Sequence, residues 1–321
     1  MTATLPQDVR DSFGRFVTCE YTTIDQRQQP IVWPVTPYYE SGGPCIDVTT
    51  GLGYPKKARD AEHNPRVALL FSDPTGSGIE SGINVLVQGT AQVDDRDLTA
   101  NRERYWRESG EKLPATRDMH PPKLLRSLFD WYYTRIYVHV RPERVFVWPS
   151  GKVTDPPELL DAHIDEVRSG HSEEPLEPHE GELGGKVAWD DRIEELGRRH
   201  ETAVVSWVAP DGFPLAVRLP VSLDRSARRI ALGATPAGLP LTPGPVCVTA
   251  HAHSPDFTWQ ENFQVRGDLV PVDGGWAVVP RKLVGGFELP KESEMARYRR
   301  NFSKSIRFYK TARRYRKSRG I

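Results

Sequence analysis

The stretch DVTTGLGYPKKARDAEHNPRVALLFSD, residues Asp47–Asp73, decides how this chain is read. An apolar strand ends in Thr49 and Thr50, and Gly51 and Gly53 then permit a tight turn. Lys56 and Lys57 open a short helix. Asn64-Pro65 stops it, because a residue before proline is pushed out of the helical region and proline cannot continue the hydrogen-bond ladder. A second apolar strand, Val67–Phe71, follows. Hydroxyls, unpaired N–H groups at a helix start and two ammonium groups thus converge on one spot. All of them favour an anion, and lysine is a point charge suited to a terminal phosphate. The competing reading is a solvated Lys-Lys pair on a surface turn.

Outward from this stretch, short strand-like runs bounded by turn residues dominate two regions. In the first, strands are expected near Phe16–Ile24, Ile31–Tyr39, Cys45–Thr50, Val67–Ser72, Asn84–Val93 and Ile136–Val147, with helices over Asp97–Ser109 and Pro122–Tyr132. In the second, strands are expected near Ala203–Val208, Leu215–Ser222, Arg229–Gly233, Val246–His253, Gln264–Val272 and Trp276–Val279. Between them, Asp155–Thr202 carries ten more acidic than basic residues, and its Gly/Pro/Glu-rich middle, Ser169–Gly185, reads as an inter-domain linker.

The two regions read as degenerate copies of one unit. Each opens with a polar helix, QDVRDSFGR or DDRIEELGR, and continues through a strand and a turn into a proline-led strand, PIVWPV or PLAVRLPV. Later, IESGINVLVQGTAQVDD aligns with FTWQENFQVRGDLVPVD, so that Asn84 meets Asn262 and Gly89 meets Gly267. The expected divisions are 1–154 and 187–290 for the two units, 155–186 for an acidic linker and 291–321 for a basic C-terminal helix.

Bulk composition narrows the function classes. The 43 basic and 43 acidic residues balance, so no global charge draws the chain to nucleic acid or membrane. Three widely spaced cysteines, Cys19, Cys45 and Cys247, fit a reducing compartment rather than a disulfide framework, and no spacing suggests zinc. The first residues lack a signal-peptide core, and no apolar run approaches the ~20 residues of a membrane span. The expectation is a cytoplasmic protein with no transmembrane segment. No Ser-His-Asp order, Walker loop or GxGxxG after a strand is present, which argues against a hydrolase, a kinase or a Rossmann dehydrogenase.

The segment TTGLGYPKKARDAEHNPRVALLF resembles the signature of the pyridoxamine 5'-phosphate oxidase-like, FMN-binding split-barrel superfamily. Val32-Trp33-Pro34-Val35-Thr36-Pro37 resembles the strand that lines the flavin ring, and RIYVHVRPERVFVW, Arg135–Trp148, resembles the closing strand. The likeness covers about residues 10–150 well and 187–290 weakly. It implies a mainly β fold with short helices, built as two tandem split β-barrels that form a pseudo-dimer, and a basic C-terminal helix. It also implies an FMN-dependent oxidoreductase with a small-molecule substrate, as a monomeric pseudo-dimer or a homodimer. A deazaflavin (F420) reductase and a non-catalytic flavin- or haem-binding protein remain alternatives.

On this resemblance Lys56 and Lys57, helped by Thr49 and Thr50, hold the phosphate. Val32, Trp33, Pro34, Val35 and Thr36 line the ring, and Asn84 or its counterpart Asn262 bonds a polar edge. The corresponding segment of the second unit, Gly233–Pro245, contains no Lys or Arg. That leaves one live site per chain, for which Trp259, Asn262, Gln264 and Arg266 supply the opposing wall. No general acid or base is assigned.

Two further features stand apart. His251-Ala252-His253 puts two imidazoles on one strand face, a possible metal or haem contact, although no carboxylate or cysteine stands beside it at ligand spacing. Arg297–Ile321 holds eleven Lys or Arg and no Asp or Glu, while Met295, Tyr298, Phe302, Ile306 and Tyr309 recur at helical spacing. That stripe either docks on the acidic body or presents the helix to an anionic partner such as a membrane, nucleic acid or phosphorylated protein.

Overall fold

The computed structural model describes residues 5–115, 129–161, 186–285 and 294–320, with side chains from residue 306 onward in the last segment. The first unit runs α1 (Gln7–Arg15), β1 (Cys19–Ile24), β2 (Pro30–Val35), β3 (Ile46–Gly51), α2 (Lys56–His63), β4 (Arg66–Phe71), β5 (Asn84–Asp94), α3 (Leu98–Lys112), α4 (Asp130–Tyr133), β6 (Arg135–Trp148) and β7 (Glu158–Asp161). The second runs α5 (Asp191–Arg199), β8 (Thr202–Val208), β9 (Pro214–Asp224), β10 (Arg229–Leu232), β11 (Gly244–His253), β12 (Gln260–Val272) and β13 (Gly275–Gly285). The helix α6 (Glu294–Arg319) follows. Aspartates start two helices: Asp97 accepts from the N–H groups of Thr99 and Ala100, and Asp190 from that of Arg192.

The chain is mainly β, and its halves share one topology. Sheet order is β2-β1-β4-β5-β6-β3 in the first half and β9-β8-β11-β12-β13-β10 in the second, the same sequence of equivalent strands. The aligned glycines explain each other. Gly89 and Gly267 both sit at a register shift opposite a proline, Pro142 or Pro280. A Cβ at either position would lie 2.2 Å from a backbone carbonyl, that of Arg141 or of Val279, so neither site admits a side chain. Two tandem split barrels account for these facts.

The halves differ in closure. In the second, β9 pairs β10 and the barrel closes. In the first, the corresponding edges β2 and β3 share one isolated bridge, Tyr38–Asp47. Helix α3 spans this gap: Lys112 donates to the Pro37 and Gly14 carbonyls at 2.5 and 3.1 Å, and Arg104 pairs with Asp47 at 2.5 Å. One difference from the sequence expectation concerns the linker. Most of the helix expected over Pro122–Tyr132 lies outside the described residues, and α4 covers its end. The strand β7 lies within the segment read as linker, paired to β6; the middle of that linker lies outside the described residues.

The barrels pack pseudo-symmetrically: β2 lies on β11 and β12, and β9 on β4 and β5. One core fills the first barrel with Phe13, Phe16, Tyr21, Val48, Leu69, Val87 and Val138. A second is shared by both barrels, uniting Val32, Ala68, Leu70, Leu86 and Trp148 with Trp207, Val217, Val248 and Val265. Trp148 and Trp207 are core residues, and their indole N–H groups donate to the Asp155 and Pro240 carbonyls.

A polar cluster crosses the shared core. Glu20, fully buried, accepts from Arg218 at 2.8 Å and Ser72 at 3.0 Å and lies 2.7 Å from His251 Nε2. His253 reaches Thr18 at 3.1 Å. The carboxylate partner that sequence spacing did not supply for His251 thus comes from the other barrel. No cluster that could hold a metal ion occurs among the described residues.

Candidate functional site

The turn after β3 is a built corner. Thr49, Thr50 and Gly51 pair with Tyr137, Ile136 and Arg135 of β6. Thr50 is buried and its hydroxyl donates to the Tyr54 carbonyl at 2.9 Å, so it fastens the turn. The glycines here answer to close approach. A Cβ on Gly53 would meet the Trp131 ring and the Phe308 Cβ at 2.7 Å, while the Gly53 N–H donates to the Trp131 carbonyl at 3.0 Å.

The two lysines have different situations. Lys56 lies 2.8 Å from Asp60 and 3.6 Å from Asp25, so its charge is matched on the spot. The i,i+4 spacing of Lys56 and Asp60 carries this signal in the sequence itself. Lys57 has no ion pair or hydrogen bond among the described residues; its ammonium stands 5.8 Å from the centre of the Tyr54 ring. Burial, then the nearby Arg135 charge, pushes its pKa down to about 8.

Arg135 is the residue that the sequence reading left out of the site. It is 5% exposed. It donates to the Tyr54 hydroxyl at 2.9 Å and the Tyr105 hydroxyl at 2.8 Å, and its guanidinium lies 4.2 Å from the centres of the Tyr105 and Tyr132 rings. Burial raises the pKa of Tyr54 and Tyr105, so both stay neutral and neither supplies a counter-charge. Among the described residues, the Arg135 Nε and the Trp131 Nε1 are buried without a partner. The corner is therefore a set of donors and cations, Lys57, Arg135 and Trp131, with no carboxylate among the described residues in hydrogen-bond or ion-pair contact with them. A buried guanidinium without a counter-charge is costly.

Beside it lies a cavity of about 540 Å3, lined by Arg27, Tyr54, Lys56, Arg59, Arg307 and Phe308 among others. Helix α6 closes it. Phe308 packs on Tyr54 and Trp131 with ring centroids 5.7 and 4.8 Å away. Arg316 pairs with Asp130 at 2.5 Å, Arg319 with Glu62 and, at 2.9 Å, with Asp95, and Tyr315 donates to Asp95 at 2.6 Å. The basic helix thus docks on the acidic body, but through Phe308, Ala312 and Tyr315. Ile306 and Tyr309, expected in the docking stripe, are exposed; Met295, Tyr298 and Phe302 have side chains outside the described residues.

The remaining expected residues separate into groups. Val32 is fully buried in the shared core, and its carbonyl accepts from Thr249 at 2.9 Å and Gln264 at 2.7 Å. The second barrel therefore already occupies the surface that Val32 was expected to offer to a ring. Val35 belongs to the first barrel's core, whereas Trp33, Pro34 and Thr36 are half-buried. Arg266 donates to Gln264 at 2.6 Å, and its charge is felt at Asp60, beside the corner. Asn262 is buried with its Oδ1 unpartnered, opposite His251.

Asn84 stands apart, donating to the Gly151 carbonyl at 2.9 Å. It pairs with Trp148, at the far end of β6 from Arg135, a path of roughly 40 Å along the strand. The turn that ends in Trp259 packs at that same far side, where the Pro255 carbonyl meets Gly76. One mononucleotide cannot touch both ends, so Asn84 and Trp259 are not part of the corner.

In the second barrel no helix takes the place of α2. The β10–β11 connection packs Leu239 inward, its Pro240 carbonyl accepts from Trp207, and the Ala237 N–H donates to the Val153 carbonyl.

Comparison with known proteins gives structural matches alone. No family model and no curated protein matches the chain. It is similar to the general stress protein 26 of Bacillus anthracis at 16% identity, over 48% of this chain and 99% of that one, with a TM-score of 0.30. It is similar to an F420 reductase at 18% identity, over 44% and 98% of the two chains, with a TM-score of 0.32. It is also similar to a protein of Clostridium acetobutylicum related to general stress protein 26, of the pyridoxinephosphate oxidase family, at 10% identity over 45% and 85%, with a TM-score of 0.31. Each match spans about one of the two repeats.

Proposed function

We propose that the Lys57–Arg135 corner binds the phosphate of flavin mononucleotide and that the chain is an FMN-dependent oxidoreductase acting on a small molecule. The observation that carries this reading is the buried donor set without a counter-ion: the Arg135 Nε and Trp131 Nε1 unpartnered, and Lys57 unpaired above Tyr54. A phosphate would neutralise both cations, take hydrogen bonds from the orphaned donors and draw on the N-terminal dipole of α2. Tyr54, Trp131 and Phe308 would exclude water from that contact and so strengthen it. The adjacent cavity, walled by Tyr54 and Phe308, has the volume and mixed lining of a cofactor site. When bound, the flavin supplies hydride or electron transfer, and the chain supplies binding and orientation. The second barrel, with no cation in Gly233–Pro245, is read as a wall, which gives one cofactor per chain.

The test is a titration of cofactor-free protein with FMN, followed by flavin fluorescence, for the wild type and three variants. Lys57→Met and Arg135→Met each weaken binding by tenfold or more, while Lys56→Met, whose charge Asp60 already matches, leaves it within about twofold. A stoichiometry near two, or Lys56→Met as damaging as Arg135→Met, defeats the assignment. Tighter binding of deazaflavin F420, or a Soret band after haem addition, would move it to the corresponding alternative.

A further inference from the structure

The outward face of α6 carries charge that the fold does not use. Phe308, Ala312, Tyr315, Arg316 and Arg319 turn to the first barrel and make the contacts described above. At 100° per residue, Lys310, Arg313, Arg314 and Lys317 fall together with Ile306 and Tyr309 in an opposite arc of roughly 140°, with Arg307 at its edge beside the cavity. All six are exposed, Ile306 at 46% and Tyr309 at 55%. None of these four cations makes a side-chain hydrogen bond or ion pair among the described residues, in contrast to Arg316 and Arg319 on the other face. From Met295 to Ile321 the sequence offers no carboxylate to match them.

The apolar members select the partner. The large apolar side chains that stand exposed among the described residues are Phe129, Leu159, Ile306 and Tyr309. Two lie on this face of α6, and Phe129 precedes Asp130, the partner of Arg316. A nucleic-acid backbone would use the cations and could stack on Tyr309, but an exposed isoleucine gains nothing there. At a bilayer surface both kinds of side chain are used. Isoleucine and aromatic rings enter the headgroup boundary, while lysine and arginine stay among anionic headgroups.

We propose that this face of α6 docks the protein, helix axis flat, on an anionic lipid bilayer. The opposite face is already held by the Arg316 and Arg319 pairs, so docking needs no folding of the helix and leaves the corner beneath Phe308 undisturbed. Each cation within a Debye length of an anionic surface contributes roughly fivefold to partitioning, so these four suffice for reversible attachment that fades with salt.

The experiment is co-sedimentation of the full chain with phosphatidylcholine vesicles, with or without about one-third phosphatidylglycerol, at about 0.1 and 0.5 M salt. The chain should pellet with the anionic vesicles at low salt, release at high salt, and stay in solution with neutral vesicles. The double variant Lys310→Gln, Arg314→Gln touches no contact of the docked face, so it keeps the wild-type melting temperature and loses about 25-fold in partitioning. Ile306→Ser, Tyr309→Ser weakens binding that remains at intermediate salt. Sedimentation indifferent to lipid charge, an unchanged double variant, or capture by duplex DNA that anionic vesicles do not compete would each overturn the proposal.

Discussion

Replacing Arg135 by methionine separates a phosphate ligand from a structural guanidinium. In the free protein the change removes hydrogen bonds to Tyr54 and Tyr105, each worth about 1 kcal/mol. It also removes stacking on the Tyr105 and Tyr132 rings, worth about 0.5–2 kcal/mol. Against this, it relieves a buried charge that has no carboxylate, a penalty of several kcal/mol. These effects nearly cancel, so the free variant should stay within about 2 kcal/mol of wild type, only a few degrees in melting temperature. With ligand the balance changes. Losing a charge-assisted contact of ~1.5–3 kcal/mol weakens FMN binding by about 10- to 150-fold. At a ligand concentration 100 times the wild-type Kd, FMN stabilises the wild type by about 2.7 kcal/mol, whereas a variant bound 30-fold more weakly gains only about 0.9 kcal/mol. Thermal melts with and without FMN read this directly. A variant whose free form collapses by more than about 4 kcal/mol while its FMN shift stays undiminished would show Arg135 to be structural, and the reasoning would fall.

Lys57 sets a pH dependence for the same contact. Its folded pKa is lowered to about 8, so the free fold carries an unfavourable charge below that pH and gains stability as the pH rises toward the usual lysine range. Cofactor binding runs the other way, falling by up to tenfold per pH unit above about 8, and Lys57→Met should flatten the profile; a flat wild-type profile would remove Lys57 from the site. Gly89→Ala and Gly267→Ala each force a Cβ to 2.2 Å from a backbone oxygen and should cost about 3 kcal/mol or more in urea unfolding. A cost below about 1 kcal/mol at either position would contradict the twin-bulge account. Glu20→Ala removes the carboxylate that contacts both Arg218 and His251, with Asp73, 3.9 Å from His251 Nδ1, left as counter-charge, and should cost about 3 kcal/mol; near-neutral unfolding would mean that the cluster is wet.

The strands were legible because each barrel buries one face and punctuates its turns with Gly, Pro and Asn. Alternation and turn chemistry therefore placed twelve strands in order, and the alignment of Gly89 with Gly267 paired two positions that the structure places at matching register shifts. Turn chemistry also singled out the turn after β3, where Lys56 and Lys57 begin α2. What stayed hidden depends on contacts distant in sequence. Arg135 becomes a site residue only because β6 lays it beside Gly51, and the opening between β2 and β3 is a missing pairing that no local pattern records. His251 looked isolated because its carboxylate is 231 positions away in the chain. The outward turn of Ile306 and Tyr309 has a similar cause, since the spacing of a stripe does not say which side of the helix a neighbour will take.

The polar cluster between the barrels bears on what a fused pair can do that a symmetric dimer cannot. Strand registers map Glu20 onto Val204, Pro34 onto Arg218 and Ser72 onto His251. The ion pair thus occurs once, and its mate across the pseudo-twofold axis is a valine beside a proline. Two copies of the first barrel would bury Glu20 against Pro34 twice, with no cation for either carboxylate. Two copies of the second would strand Arg218 against Val204 in the same way. Each barrel is therefore fitted to its tandem neighbour and mismatched to itself, so covalent linkage has given the two copies separate identities, as in an obligate heterodimer.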